Sequence, residues 1–341
     1  LRASVIPGWE DKVLVSPKNL FPSSSPNLVL SNTTVASINE ESIKLESQVT
    51  LDGNSTDTIP YAYLIFATGS VGHFPIRVPT YTNTSDAKKA FKDMQSQVKK
   101  ATKILIVGGG PVGFEFAGEI TEYYNGKDGR KKKEVTLVSS GNKLLHPDAK
   151  DNLHSKALNA LKKSGVKVIL GQQAKDFDPK FNGYLGKTET FTLQNGETVD
   201  ADFVLSGIGA KGNSGLAVAA FGEDIVEQGS RQIKVRGTFQ LENHDNIFAV
   251  GDVCNAKENK QAAWSARHAA IVGANIPALI NNTPLKEYSP QSSLLMLASY
   301  GAAEGYGQLM GVVPFSWIGS RLKSRGLFAE QFAKSLNTTF A

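Results

Sequence analysis

Apolar and polar residues alternate loosely across residues 28–50, a pattern that predicts short antiparallel strands joined by polar turns. A more continuous apolar run follows, IPYAYLIFATGS (59–70), which reads as one buried strand ending in small residues. Residues 84–100 carry the spacing of an amphipathic surface helix. From Lys103 the pattern changes to strand, glycine turn and helix (111–123), then a basic loop NGKDGRKKK and a strand EVTLV (134–138), which together make a βαβ unit. Lys131–Lys133 falls between helix and strand and is expected to be solvated. A helix at 148–163 and a strand VKVIL (166–170) come next, then a polar hairpin region and the strand ADFVLSGIG (201–209).

Two of these segments are cousins. IPYAYLIFATG (59–69) and VDADFVLSGIG (199–209) share a polar lead-in, an apolar strand, small residues and a closing glycine, the mark of a repeated domain type. In the second copy about 100 residues separate Gly108 from Gly209. The same interval would place the first copy's glycine loop about 32 residues ahead of Leu1. The chain itself opens LRASVIPGW, with neither an initiator methionine nor a targeting pattern, as though a segment precedes it.

The loop that is present reads KILIVGGGPVGFEFAGEI (103–120). Gly108, Gly110 and Gly113 satisfy G-x-G-x-x-G between a strand and a helix, the context that gives the motif meaning. The first glycine permits the tight turn, the second lets backbone approach a pyrophosphate, and the third allows close helix–strand packing. Gly109 and Val112 complete the loop, and the helix start supplies amides and the positive end of its dipole. After EVTLV an acidic residue would favour NADH, but Ser139 and Ser140 stand there, so NADH and NADPH both remain open. Glu115, in the first helical turn, is either a nicotinamide-side group or a helix-start carboxylate favoured by the dipole. The second signal is NIFAVGDVCN (246–255), where Gly251–Asp252 ends an apolar strand; it suits a polyol or an ordinary turn.

Composition narrows the class. Among 341 residues, 37 basic and 32 acidic side chains give +5, too mild and scattered for nucleic acid. Cys254 is the only cysteine, which excludes a disulfide framework or a cysteine zinc site within the chain and fits a reducing, cytoplasmic setting. Sequons at Asn32, Asn54, Asn83 and Asn337 are read as chance matches. No apolar run approaches the length of a membrane span.

The fingerprint GGGPVGFEFAGE, the upstream ATGS (67–70) and the downstream FAVGD (248–252) occur in the order found in flavoproteins with two dinucleotide-binding domains. Within that superfamily the chain most resembles the apoptosis-inducing-factor-like AMID group, which includes ferroptosis suppressor protein. LRASV at the start, the helix around His268 and RLKSRGLF (321–328) carry that resemblance. It implies an α/β fold of two Rossmann-like three-layer domains, one inserted in the other, with a small C-terminal α+β segment. The implied boundaries are 1–100 and 210–285 for the FAD domain, 101–209 for the NAD(P)H domain and 286–341 for the C-terminal segment. It also implies FAD contacts from Arg2, Val35, Ala67, Thr68, Gly69 and Asp252, with the family's own FAD fingerprint ahead of Leu1.

The reaction implied is electron transfer from NADH or NADPH through flavin to a quinone or similar small acceptor. Lys323 resembles a lysine near the flavin and quinone site, although Gly326 stands where the family often has Asp. His268, on AAWSARHAAIVGANI, is a packed helix histidine or a proton donor, and Trp264 a core aromatic or a flavin neighbour. A disulfide reductase on the same fold needs a cysteine pair, a single-cysteine oxidase needs a thiol at the flavin, and an FAD-free fragment would only bind nucleotide. The C-terminal stretch GVVPFSWIGSRLKSRGLF mixes exposed-type apolar residues with Arg321, Lys323 and Arg325, and is a candidate for peripheral membrane contact.

Overall fold

The computed structural model describes residues 1–16, 19–78, 83–126, 130–175, 177–179, 181–291, 293–309, 311–338 and 340. In chain order the strands are β1 (Val35–Ile38), β2 (Ser42–Leu51), β3 (Asn54–Pro60), β4 (Leu64–Phe66) and β5 (Ser70–Val71). Helix α1 (Thr84–Lys100) leads to β6 (Lys103–Val107), α2 (Pro111–Asn125), β7 (Glu134–Ser139), α3 (Asp151–Lys163) and β8 (Lys167–Leu170). Then come β9 (Gly183–Thr192), β10 (Thr198–Ser206), β11 (Lys211–Gly212), α4 (Gly215–Phe221), β12 (Ile247–Ala249) and α5 (Ala262–Ile280). The chain closes with β13 (Met296–Tyr300), β14 (Glu304–Gln308), α6 (Ser316–Gly319), a π-helical turn over Ser320–Ser324, and α7 (Ala329–Ser335).

Two compact units form. One comprises Leu1–Val29, His73–Ile208 and Ser293–Ala341, and the other Leu30–Gly72 with Gly209–Ser292. Compactness thus draws the line differently from the expected division, because both chain ends pack on the nucleotide domain.

The first unit is built on a five-stranded sheet in the order β8-β7-β6-β10-β9, with only β9 antiparallel to its neighbour. Central β6, KILIV, is apolar and buried after Lys103 because both of its faces are covered. Its alternation sends Ile104 and Ile106 into a core shared with Phe114, Phe116 and Ile120 of α2. Leu105 and Val107 enter a separate core with Phe191, Val199 and Val204. Helix α1 is capped at its start by Asn83, whose Oδ1 accepts the Asp86 amide at 2.9 Å. At its other end the Lys133 ammonium bonds the carbonyls of Lys99 and Ala101. Lys133 is therefore buried, not solvated as its basic run led one to expect; a cation at a helix C-terminus satisfies carbonyls that have no helical partner.

The β13–β14 hairpin lies along α2. Gly118 makes this possible, since a methyl there would stand 2.8 Å from the Gly301 amide and from Tyr300. Phe114 packs on Tyr300 with ring centroids 4.8 Å apart, and Glu122 accepts the amide of Ala302 at 2.9 Å.

The second unit holds the antiparallel meander β1-β2-β3, the parallel pair β4–β12 and the short pair β5–β11. The apolar run at 59–70 is not one buried strand. Ile59 and Pro60 end β3, β4 spans three residues, and Ile65 is 43% exposed because β4 alternates and buries only Phe66. Helix α5 buries Trp264, His268, Val272 and Asn275, residues spaced along one helical face.

Candidate functional site

In the first unit the glycine loop joins β6 to α2 as its spacing predicts, and each glycine answers to a different neighbour. Gly108 has φ +117° and lies so close to Gly207 that a methyl would be 2.8 Å from the Gly207 carbonyl oxygen. A methyl on Gly113 would collide with the Gly108 carbonyl oxygen, and one on Gly109 would stand 2.8 Å from the Ser139 hydroxyl. Gly110 is different. It precedes the first turn of α2 in an extended conformation, and a methyl on it would meet no protein atom within 4 Å. The chain needs no glycine there for its own packing, so the open space fits a ligand's pyrophosphate against the helix start. Pro111 and Val112 open α2, where the missing proline N–H costs nothing.

Ser139 ends β7, mostly buried, with its hydroxyl beneath Gly109. The exposed residues that follow are Ser140, Gly141, Asn142 and Lys143, with no carboxylate among them. Gly209, expected to close the site, falls in the second unit, with open space about it. The glycine that abuts the loop is Gly207, whose amide donates to the Val107 carbonyl at 2.7 Å. The G-I-G at 207–209 was the available signal for it.

Further along α2 two carboxylates one turn apart each take a cation from a chain terminus. Glu115 Oε1 accepts the Lys323 ammonium at 2.7 Å and the Ser299 amide at 2.9 Å, and Lys323 also bonds the Leu297 carbonyl at 2.8 Å. Both side chains keep partial exposure, 24% for Lys323 and 17% for Glu115. Glu119 is closed to solvent and accepts Nε and Nη2 of Arg2 at 2.9 and 2.7 Å. Burial pushes the Glu119 carboxyl up from its ordinary value, against the pull of Arg2.

Arg2, the flavin contact implied by resemblance, is engaged here within the protein. Its remaining donors go to the carbonyls of Gly301 at 2.8 Å, Ser324 at 2.6 Å and Arg325 at 3.3 Å, and its guanidinium lies over Trp9. No donor is left over for a ligand. The π turn helps to present the Ser324 carbonyl, and it is the same turn that carries Lys323.

The second unit brings the ATG turn and the Gly-Asp turn together at the ends of paired β4 and β12. The Val250 amide bonds the Phe66 carbonyl at 2.9 Å, and the Ser70 hydroxyl donates to Asp252 Oδ2 at 3.0 Å. Thr68 and Gly69 are laced to Asn213, through the Thr68 hydroxyl at 2.7 Å and the Gly69 carbonyl at 2.9 Å. Gly69 turns at φ +70° with open space where a side chain would stand. A half-exposed carboxylate beside an open glycine turn fits the polyol end of FAD. Val35, the expected adenine-side residue, opens β1 opposite Leu45 on the meander.

His268 is not in open space. Its side chain is 1% exposed, its Nδ1 accepts the Gly251 amide at 3.1 Å, and its Nε2 faces Glu258 at 2.6 Å. It is a packed helix histidine touching the turn that carries Asp252. Cys254 is buried, with its thiol donating to the Gly251 carbonyl at 3.2 Å and pushed up in pKa by burial. Trp264 is core, with Arg267 over its ring.

A glycine loop opening a helix after a parallel strand, with a Gly-Asp turn beside an ATG turn, defines a flavoprotein of the two-dinucleotide-domain class. The chain belongs to the pyridine nucleotide-disulphide oxidoreductase family, whose sequence profile matches residues 18–272. It is 31% identical over 340 residues to ferroptosis suppressor protein 1 of Homo sapiens, covering 98% of this chain and 85% of that one. It is 32% identical over 321 residues to the FAD-dependent oxidoreductase FVFD30 of Flammulina velutipes, covering 93% of each. The sulfide:quinone oxidoreductase of Aquifex aeolicus shares the fold, with TM-score 0.67 at 18% identity over 89% of this chain and 74% of that one. The protein is an NAD(P)H-dependent flavoprotein oxidoreductase of the AMID-like kind, with FAD and NAD(P)H as its cofactors.

Proposed function

We propose that this oxidoreductase delivers electrons from NADH or NADPH to a quinone-type acceptor. The observation that carries the reading is the Glu115–Lys323 pair at 2.7 Å, fixed on the helix whose start forms the pyrophosphate loop. FAD, when bound, would supply the redox chemistry that links a two-electron nicotinamide donor to the acceptor. The chain's own residues do the rest. The Gly108–Gly113 loop seats the nucleotide pyrophosphate, with Gly110 leaving room for it. Asp252, steadied by Ser70, is suited to hold the ribityl hydroxyls. Lys323 offers an ammonium, held in place by Glu115 and the Leu297 carbonyl, to balance negative charge or give a proton as an acceptor oxygen is reduced. A dithiol route is disfavoured because the one thiol in this chain, Cys254, is buried and hydrogen-bonded to its own turn.

The same reading accounts for an apolar surface in the C-terminal segment. Val312, Phe315 and Trp317 are 66%, 71% and 58% exposed and lie near Arg321, whose guanidinium is over the Trp317 ring. Such a face suits peripheral contact with a cytoplasmic membrane surface, where lipid quinones are met.

Stopped-flow reduction of the FAD-loaded protein by NADH and by NADPH, followed by mixing with a quinone panel, tests the proposal. Reduced flavin that is reoxidised by no quinone faster than by dissolved oxygen would refute it.

A further inference from the structure

Behind the Gly251–Asp252 turn runs a chain of buried hydrogen bonds with a definite polarity. The Gly251 amide can only donate, so the nitrogen that faces it, Nδ1 of His268 at 3.1 Å, must present a lone pair. The opposite nitrogen, Nε2, stands 2.6 Å from Glu258 Oε1 and must carry the proton if that carboxylate is ionised. Glu258 is built to stay ionised. Burial works to raise its pKa, but bonds from the Tyr288 hydroxyl, His268 and the Gln291 amide outweigh it and hold the carboxyl below its ordinary value. The Tyr288 hydroxyl reaches both Glu258 oxygens, at 3.0 and 2.7 Å. Its own pKa is pushed up to about 12, by burial first and by Glu258 second, so it remains a donor.

Packing leaves the imidazole one orientation. Its ring lies against Phe239 and Tyr288, at centroid distances of 4.4 and 4.9 Å, and His268 and Glu258 are each 1% exposed. The other charged or titratable groups around it are Cys254, with Sγ 3.8 Å from Nδ1, and the cations Lys260 and Arg267. Lys260 is anchored on the carbonyls of Cys254 and Ala256, and Arg267 lies over the Tyr288 ring. Neither cation offers Nδ1 a reason to take a proton, and both oppose it.

We infer that His268 is a positioning residue of the flavin site: as the neutral Nε2–H tautomer, locked by Glu258, it holds the Gly251 amide and so sets the aim of the Asp252 carboxylate. This rests on the reading of Asp252 as a flavin ligand. Gly251 turns at φ +73°, and its neighbour Asp252 is fixed on the ligand side by Ser70 and on the protein side by Gln232, whose amide reaches the Asp252 carbonyl at 3.4 Å. Protonating Nδ1 would set one N–H against another, and the turn would have to shift. Flavin affinity then falls on acidification.

The test measures FAD dissociation constants for the full chain by flavin fluorescence across a pH series, with His268→Asn, His268→Phe and Asp252→Ala. Asn keeps an acceptor near the Nδ1 position without titrating, whereas Phe keeps the ring and leaves a buried amide unpaired. His268→Phe is expected to weaken FAD by about tenfold or more, the cost of one lost buried hydrogen bond. His268→Asn should bind FAD nearly as the parent does at about pH 8, with a flatter acid limb. Should His268→Phe fail to fold, the acid limb of His268→Asn decides. A two-bond 1H–15N spectrum of the parent, assigned by loss of a signal in His268→Asn, should show the Nε2–H tautomer without any flavin present. An Nδ1–H tautomer, or an acid limb unchanged in His268→Asn, overturns the inference. If Asp252→Ala binds FAD as the parent does, the flavin-ligand reading itself fails; if only the His268 variants are silent, positioning alone fails.

Discussion

Glu115 and Lys323 lie 208 positions apart in the chain and meet at 2.7 Å, on a surface that solvent still reaches. An ion pair so exposed adds little to stability, so its worth is to be sought in turnover. Lys323→Met is expected to leave flavin reduction by NADH within a few-fold of the parent and to slow reoxidation by quinone by about 10²-fold, the scale of a lost general acid. Lys323→Arg should recover part of that loss. Single-turnover traces of the two half-reactions separate these outcomes, and equal slowing of both would reassign the pair to nicotinamide binding.

The second and third glycines of the loop should fail differently. Gly110→Ala leaves the fold intact, because nothing lies within 4 Å of the added methyl, and weakens NAD(P)H by about tenfold. Gly113→Ala drives a methyl into the Gly108 carbonyl and should destabilise by about 1–3 kcal/mol, despite alanine's better helix propensity. Nucleotide titration and urea unfolding of both variants check the contrast.

Arg2 should behave as a structural residue. Arg2→Ala strands Glu119 and three backbone carbonyls, and an expected loss of about 3–5 kcal/mol follows from an uncompensated buried charge. The measurement is the denaturation midpoint of the flavin-free protein. A variant of normal stability that cannot hold FAD would restore the flavin contact that resemblance implies.

Acid should cost stability through His268 as well as flavin affinity. Burial chiefly lowers its pKa, with Glu258 opposing, so the imidazole is neutral when folded and binds a proton more readily when unfolded. The stability it contributes is therefore whole above the unfolded value of about 6.5 and is lost as pH falls through the folded one. Urea midpoints of parent and His268→Asn should diverge on going from about pH 8 to pH 5, with the parent losing more.

If the C-terminal face meets lipid, replacing Phe315 and Trp317 together by Ser should abolish flotation with vesicles containing anionic lipid and leave activity toward a water-soluble quinone unchanged. Flotation that survives the double replacement would point to another attachment.

Local periodicity made most of the architecture readable. The glycine loop, the strands flanking it and the helices expected at 84–100 and 111–123 follow from spacing alone, since each is decided by neighbours in sequence; the second runs two residues further. Partnerships at long range were not readable. Nothing local distinguishes Glu115 as a partner for Lys323 from Glu115 as a helix-start carboxylate, and nothing in a basic run marks Lys133 as the one that caps a helix. Glu258 carries no motif at all; only the fold shows it behind His268. The partners of Arg2 were hidden for a related reason: resemblance carries over a residue but not which of its neighbours claims its donors.

Helix α2 begins at the pyrophosphate loop and grips Lys323 through Glu115, five residues after Gly110 in sequence. At 1.5 Å per residue that is an axial offset of about 7.5 Å, set by helical pitch and not by any loop. The helix thus serves as a gauge. A one-residue insertion between Gly110 and Glu115 would rotate the carboxylate by about 100° and break register with Lys323, while leaving every chemical group in the protein unchanged.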